Sequence, residues 1–326
     1  MLRAPGLVYR LVIAGLILAI LTAAGVLIAV VTLRRIPVEE LAPDLFVLEG
    51  RGANTVVLAT AEGLMVVDTK FWKFAELLRD RIGELSDKPV RYVINTHHHW
   101  DHVDGNLLFP IEATFVSTAN AFRHFRLQDP AKWSAPGAVD HLPKAGFEEK
   151  DHQIKLAGQL IHVVQVGAGH TDGDCVVYFP SQRVVAAGDL FFNGYYPVVD
   201  AASGGSFVAW IETLDRVLAL GPSRIVPGHG PVAETAELKA FQGYLRDLLI
   251  EVSKLRAQGK SRDAVVKELR LPIHEARMKN LPLSLALTCS LTQISPALAE
   301  PSKPATTACV NRENTEWRRA SAFGRL

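Results

Sequence analysis

The chain has 326 residues, 48% of them hydrophobic, with 35 Lys and Arg against 34 Asp and Glu. That is enough apolar material for one or two domains with a sizeable core, and the balanced charge lacks the basic excess expected of a nucleic-acid binder. Three cysteines, Cys175, Cys289 and Cys309, show neither zinc-finger spacing nor a disulfide framework, so any metal must be held by His and Asp.

Leu11 to Leu33 are 23 consecutive uncharged, mostly aliphatic residues, bracketed by Arg3 and Arg10 and by Arg34 and Arg35. This matches the ~20 residues that cross a bilayer. A signal peptide has a shorter apolar region, about 7 to 15 residues, and no basic pair directly after it. Residues 1–35 are read as a transmembrane helix that tethers the chain to a membrane, with a signal segment as the alternative. The free amino terminus tips the charge count toward an inside N-terminus, which places the remainder in a periplasmic or extracytoplasmic compartment.

Residues 36–272 are read as one domain. After a polar linker, Ile36 to Pro43, the runs Leu45–Leu48, Asn54–Thr60 and Leu64–Asp68 form a meander of antiparallel strands separated by Gly-containing turns. Phe71 to Leu85 carries Phe74, Leu77, Leu78, Ile82 and Leu85 at helical spacing. The buried strand Val90–Ile94 then ends in Asn95-Thr96-His97-His98-His99-Trp100-Asp101-His102. Neutral imidazoles and carboxylates suit a divalent borderline metal such as zinc, and a turn can aim several of them inward at once. His98 and Trp100 alternate with the ligand positions and are expected to point away. Asp68 and Asn95, at two strand ends, are expected to hydrogen-bond the His turn.

A short strand begins at Phe115 and a helix covers Thr118 to Leu127. The Pro- and Gly-punctuated Asp129–Gly146 segment reads as a flap. His124, His141, His152 and His162 fall at no useful spacing and read as ordinary histidines. Leu160–Val166 is a strand ending in Gly169-His170-Thr171. Cys175–Phe179 and Arg183–Ala187 follow as strands, the second running into Gly188-Asp189. The Ser203–Ser206 stretch reads as a flexible loop over the site. Arg224–Val226 leads into Gly228-His229-Gly230, and Ala236–Leu269 supplies about two helices.

Strand ends thus present seven donors: His97, His99, Asp101, His102, His170, Asp189 and His229. One zinc site takes about three protein ligands plus water, so seven suit two ions sharing a carboxylate.

The motifs His97-x-His99-x-Asp101-His102, Gly169-His170-Thr171, Gly188-Asp189 and Gly228-His229-Gly230 occur in an order that resembles the metallo-β-lactamase fold superfamily. The resemblance covers about Leu41 to Leu271. It implies an α/β fold, the αββα metallo-β-lactamase sandwich, with His97, His99 and His170 on a first zinc and Asp101, His102 and His229 on a second. Asp189 would bridge them. Class B β-lactamases usually carry Cys or Ser at that position, so the bridging Asp resembles glyoxalase II, lactonases and the quinoprotein relay system zinc metallohydrolases. The implied enzyme is a hydrolase with two Zn2+ per chain, iron or manganese being alternative occupants. A hydroxide bridging the ions would cleave an ester, lactone, thioester or amide of a small-molecule acyl substrate. Asp101 would orient the nucleophile, and Tyr195 or Tyr196, in an aromatic run expected at the pocket mouth, would donate to the oxyanion. Two other readings are a β-lactamase in the narrow sense and a di-iron redox or metal-binding protein on the same scaffold.

Residues 273–326 stand apart. Met278-Lys279-Asn280, the apolar Leu281–Ile294 and Pro296-Ala297-Leu298-Ala299 have the three-part form of a secretory signal in the wrong place. This tail is read as a junction with a second gene, against an amphipathic tail that packs on the domain.

Overall fold

Residues rich in Val, Leu and Ile, broken by Gly turns, build two mixed sheets. The structure, a computed structural model, describes residues 15–22, 35–144 and 146–275. The chain divides into Met1–Pro37 and Val38–Leu326. In the first unit residues 15–22 are helical, and the rest of the Leu11–Leu33 run lies outside the described residues. Among the described residues no helix is long and apolar enough to cross a membrane, so the anchor reading stands on the sequence alone.

In the second unit, β1 (Val38–Ala42), β2 (Leu45–Leu48), β3 (Thr55–Thr60) and β4 (Gly63–Val67) pair antiparallel in sequence order. β5 (Val90–Ile94) and β6 (Thr114–Val116) extend this sheet in parallel. Parallel neighbours need crossovers. Helix α1 (Trp72–Leu85) makes the first, and the His turn with the short α2 (Trp100–Val103) lies in the second. Two more helices follow, α3 (Ala119–Gln128) and α4 (Pro130–Trp133). The second sheet runs β11 (Arg224–His229), β10 (Val184–Phe192), β9 (Val176–Phe179), β8 (Gln159–Val164), β7 (Asp151–Leu156). Only β10 and β11 are parallel, joined through α5 (Phe207–Ala219). α6 (Thr235–Ala257), α7 (Arg262–Glu268) and the short α8 (Pro272–Glu275) complete the described fold.

The inner faces of the two sheets meet in one core, with Val56, Leu58, Met65, Val67 and Ile94 packed with Ile154, Ile161, Val163, Val177, Val184 and Val226. Each such side chain contributes ~1.5–3 kcal/mol by leaving water. β10 is buried along its whole length because its other face meets α5 and α6, through Trp210, Leu214, Phe241 and Leu245. This layering is the α/β sandwich expected.

The structure corrects several expectations. The Ile36–Pro43 linker contains strand β1, held by pairing with β2 despite its two glutamates. The Asp129–Gly146 segment is no loose flap: Trp133, Ala138 and Leu142 are buried with Val103 and Phe125. The Ser203–Ser206 stretch is wired in, Asp172 N donating to Ser203 O at 2.8 Å and Ser206 N to Gly169 O at 2.8 Å, and Ser206 caps α5. Strand β7 and helix α5 were not anticipated. Of the tail, only residues to Glu275 are described, so the junction reading lies outside the described residues.

Candidate metal centre

All seven expected donors come together at one edge of the sandwich, where β5, β10 and β11 end or bulge. His97, His99 and His170 form one group of ligand atoms, Asp101, His102 and His229 a second, and Asp189 joins His97 and His102 in a third. In the first half, His99 Nδ1 lies 3.1 Å from His97 Nε2 and 2.6 Å from His170 Nε2. In the second, His229 Nε2 lies 3.2 Å from Asp101 Oδ2. Asp189 spans both. Its Oδ2 faces His170 Nε2 at 3.5 Å, and its Oδ1 faces His102 Nε2 at 3.1 Å and His229 Nε2 at 3.4 Å.

Two glycines make this carboxylate placement possible. Gly188 has φ +51, and an added Cβ would fall 2.4 Å from Thr96 Oγ1; at Gly228 it would fall 1.9 Å from Asp189 Oδ1. The β10–β11 register shifts at Gly188, which turns Asp189 toward the site.

The donor set fits divalent cations on local grounds. Four imidazoles have their outward nitrogen engaged: His97 Nδ1 by Thr96 Oγ1 at 3.2 Å, His99 Nε2 by Asp200 Oδ2 at 3.0 Å, His102 Nδ1 by Asp68 Oδ2 at 2.7 Å, and His170 Nδ1 by Val198 O at 2.8 Å. Their other nitrogens converge, as metal-ligating histidines do. His102 Nε2 and Asp189 Oδ1 are buried without a hydrogen-bond partner despite standing 3.1 Å apart. Once His102 Nε2 has given up its proton, two buried acceptors face each other there, and a cation is the group that satisfies both. One side of the cluster is open: the His99 and Asp101 side chains are each 16% exposed, while His97, His102 and His170 lie at 2% or less.

Electrostatics agree. Burial opposes charge at every member, yet Asp189 and Asp101 raise His229 to about 9, and Asp189 and Asp68 hold His102 well above its ordinary value. Burial, with His99 beside it, pushes His170 down to about 4. Burial also opposes ionisation of Asp189, but His229 and His102 keep its carboxyl well below the usual range.

The family model for the metallo-β-lactamase superfamily matches residues 48–229, the stretch that carries every one of these donors. The chain belongs to the metallo-β-lactamase superfamily. A linear primary-alkylsulfatase of Pseudomonas sp. is 22% identical over 268 residues, covering 68% of this chain and 50% of that protein. A type 2 metallo-β-lactamase of Bacillus sp. is 26% identical over 192 residues, 56% of this chain and 68% of the relative. The structure of the inverting sec-alkylsulfatase Pisa1 from Pseudomonas sp. shares the fold with a TM-score of 0.62 at 16% identity, over 82% of this chain and 52% of that one. The chain thus spans about half the length of both alkylsulfatases.

Around this donor cluster, Asp68 and Asn95 act as expected: Asp68 accepts from Thr96 N at 2.8 Å and Thr96 Oγ1 at 2.7 Å, and Asn95 Nδ2 donates to His102 O at 3.4 Å. His141, His152 and His162 pair with nearby groups, Gly137 O, Glu149 and Asp151. Tyr196 is placed differently from expectation. Tyr196 is buried against Tyr244, and Tyr195 packs half-buried on the same core. Phe192 is the aromatic at the cluster, stacked on His229 with centroids 5.5 Å apart.

Four contributors had no signal strong enough to read. The buried Lys70 donates to Leu48 O, Gly50 O and Ala53 O at 3.0, 2.7 and 2.5 Å. The Asn54 side chain donates to Pro227 O at 3.0 Å and Gly230 O at 2.8 Å, pinning the His229 turn. Asp200 caps the short turn Ala201–Ser203, in a stretch with no metal-ligand spacing. His124, read as ordinary, is buried with Nε2 2.7 Å from Asp172 Oδ1, two residues after His170. A helix position spaced four from Asn120 and Gln128 was the available clue.

Proposed function

We propose that the chain is a metal-dependent hydrolase with two divalent ions, zinc in the first instance, in the two halves of the cluster. The span of the Asp189 carboxylate, one oxygen toward His170 and the other toward His102 and His229, is the observation that carries this reading. Ions bound there would supply Lewis acidity and ionise water near neutral pH, lowering its pKa from ~15.7 to about 7.

The chain's own residues do the rest. His97, His102 and His170 are buried and exclude water from the inner side, so substrate enters past His99 and Asp101. Asp101, whose side chain is 16% exposed at the open side of the cluster, accepts a hydrogen bond from the attacking water and aims it. A carbonyl ester, lactone, thioester or amide suits this arrangement. A sulfate ester is a second reading, favoured by the 68% of this chain that aligns with the alkylsulfatase. The apolar Leu11–Leu33 run supports a membrane-tethered enzyme with its site outside the cytoplasm.

The test is a screen of the zinc-loaded full chain against aryl esters, lactones, thioesters, alkyl sulfates and the β-lactam nitrocefin. Turnover of one class, lost on chelation and restored by metal, is expected. Two metals bound with no turnover of any class would contradict the hydrolase reading.

A further inference from the structure

His99 differs from its neighbours in the first half of the cluster. His97 and His170 present Nε2 to the shared centre, whereas His99 presents Nδ1 and sends Nε2 outward. An imidazole turned this way can flip its ring unless the far nitrogen is held. The holder is Asp200, whose Oδ2 accepts from His99 Nε2 at 3.0 Å.

Asp200 is itself fixed on several sides. Its Oδ2 accepts from Gln128 Nε2 at 3.0 Å, at the end of α3, and its Oδ1 accepts from Ser203 N at 3.2 Å. Ser203 Oγ in turn meets Gln128 Nε2 at 3.1 Å and His98 Nε2 at 3.3 Å. Two residues earlier in the same segment, Val198 O holds His170 Nδ1 at 2.8 Å. A single irregular segment, clamped by α3, therefore controls two of the three imidazoles of one half-site.

We propose that Asp200 is the positioning residue of the first metal half-site: it locks the ring of His99 with Nδ1 inward, and Gln128 locks Asp200. This rests on the two-metal reading above. A carboxylate behind a ligating histidine fixes the tautomer and raises the basicity of the inward nitrogen, and its loss commonly weakens metal affinity ~10–100-fold.

The experiment titrates metal-free full-length chain with Co(II) against a chromophoric chelator and records the hyperfine-shifted imidazole N–H resonances of the cobalt form. Asp200→Ala is expected to weaken one of two equivalents by about 10–100-fold and to remove or move one N–H resonance, while Lys254→Ala, exposed on α6 and paired with Glu251, leaves both affinities unchanged. Two equivalents held equally by wild type and a folded Asp200→Ala overturn the inference alone. A wild-type chain that takes up no cobalt overturns the two-metal reading as well. His98, His99 and Asp200 also lie close enough to hold an ion of their own; a third equivalent in wild type that Asp200→Ala loses would overturn the positioning role. Should Asp200→Ala not fold, Gln128→Leu decides: a several-fold weaker site supports the inference and an unchanged one overturns it.

Discussion

Nε2 of His102 stands 3.1 Å from Oδ1 of Asp189, and both atoms are buried. Behind it, His102 Nδ1 is held at 2.7 Å by Asp68. The pair is poised for something absent from the polypeptide, and the consequences of filling that point with a cation are measurable.

Removing the bridging charge should uncouple the two halves. Asp189→Asn keeps the shape and loses the negative charge that four imidazoles face, those of His97, His102, His170 and His229. Metal content is expected to fall from two ions per chain to one or none, with a loss in kcat/KM of at least ~100-fold, the scale of one electrostatic group in a dry site. Full metal content and full activity in this variant would exclude Asp189 as the bridge.

Gly228→Ala tests the same carboxylate without touching it. The new Cβ would sit 1.9 Å from Asp189 Oδ1, so one of the two must move. A stability loss of about 1–3 kcal/mol from overpacking is expected, with metal binding impaired beyond what the melting temperature explains. Normal metal content would show that the loop yields without moving Asp189.

The fold and the clustered donors were legible in the sequence because both are written in local pattern: apolar runs set β2 to β5, and each donor follows a strand in a short Gly- or Asn-flanked turn. What escaped was long-range. Strand β1 has two glutamates among five residues and exists through pairing with β2. α5, with Phe207, Trp210, Leu214 and Val217 buried, carries its own helical period but starts directly after a Gly-rich stretch that reads as loop. Asp200 reaches His99 from 101 positions away, and no spacing rule connects them. Tyr196 has the chemistry of an oxyanion donor, but its ring is packed on Tyr244 in the core.

Metal uptake should release protons. Despite burial, Asp189 and Asp101 raise His229 to about 9, and His102 is likewise held well above 6.5. Both must be neutral to coordinate. Calorimetric titration with zinc in buffers of different ionisation enthalpy is expected to show proton release at pH 7, with apparent affinity climbing as pH rises toward about 9. The metal-free chain has the opposite sign: a raised pKa contributes stability that is complete below 6.5 and lost as pH passes through about 9. Affinity independent of pH across this window would contradict the ligand assignment.

Lys70 is a strut for the loop before Asn54. Burial pushes it down from 10.5 to about 7, against the pull of Asp68 and Asp101. Because its folded pKa lies below the unfolded one, stability should rise with pH between about 7 and 10.5 as the desolvated charge is relieved. Lys70→Met strands three carbonyl oxygens and is expected to cost about 1–3 kcal/mol and to flatten that rise. Denaturant unfolding at both ends of the range measures it; equal stability and an unchanged slope would remove Lys70 from this role.

The most direct measurement is metal content per chain, by mass spectrometry of the intact protein after zinc reconstitution and desalting. Two ions in the wild type, and at most one in His229→Ala and in His97→Ala, are expected. A wild type that retains none, or a double variant lacking both histidines that still retains two, would contradict the metal centre on which everything above depends.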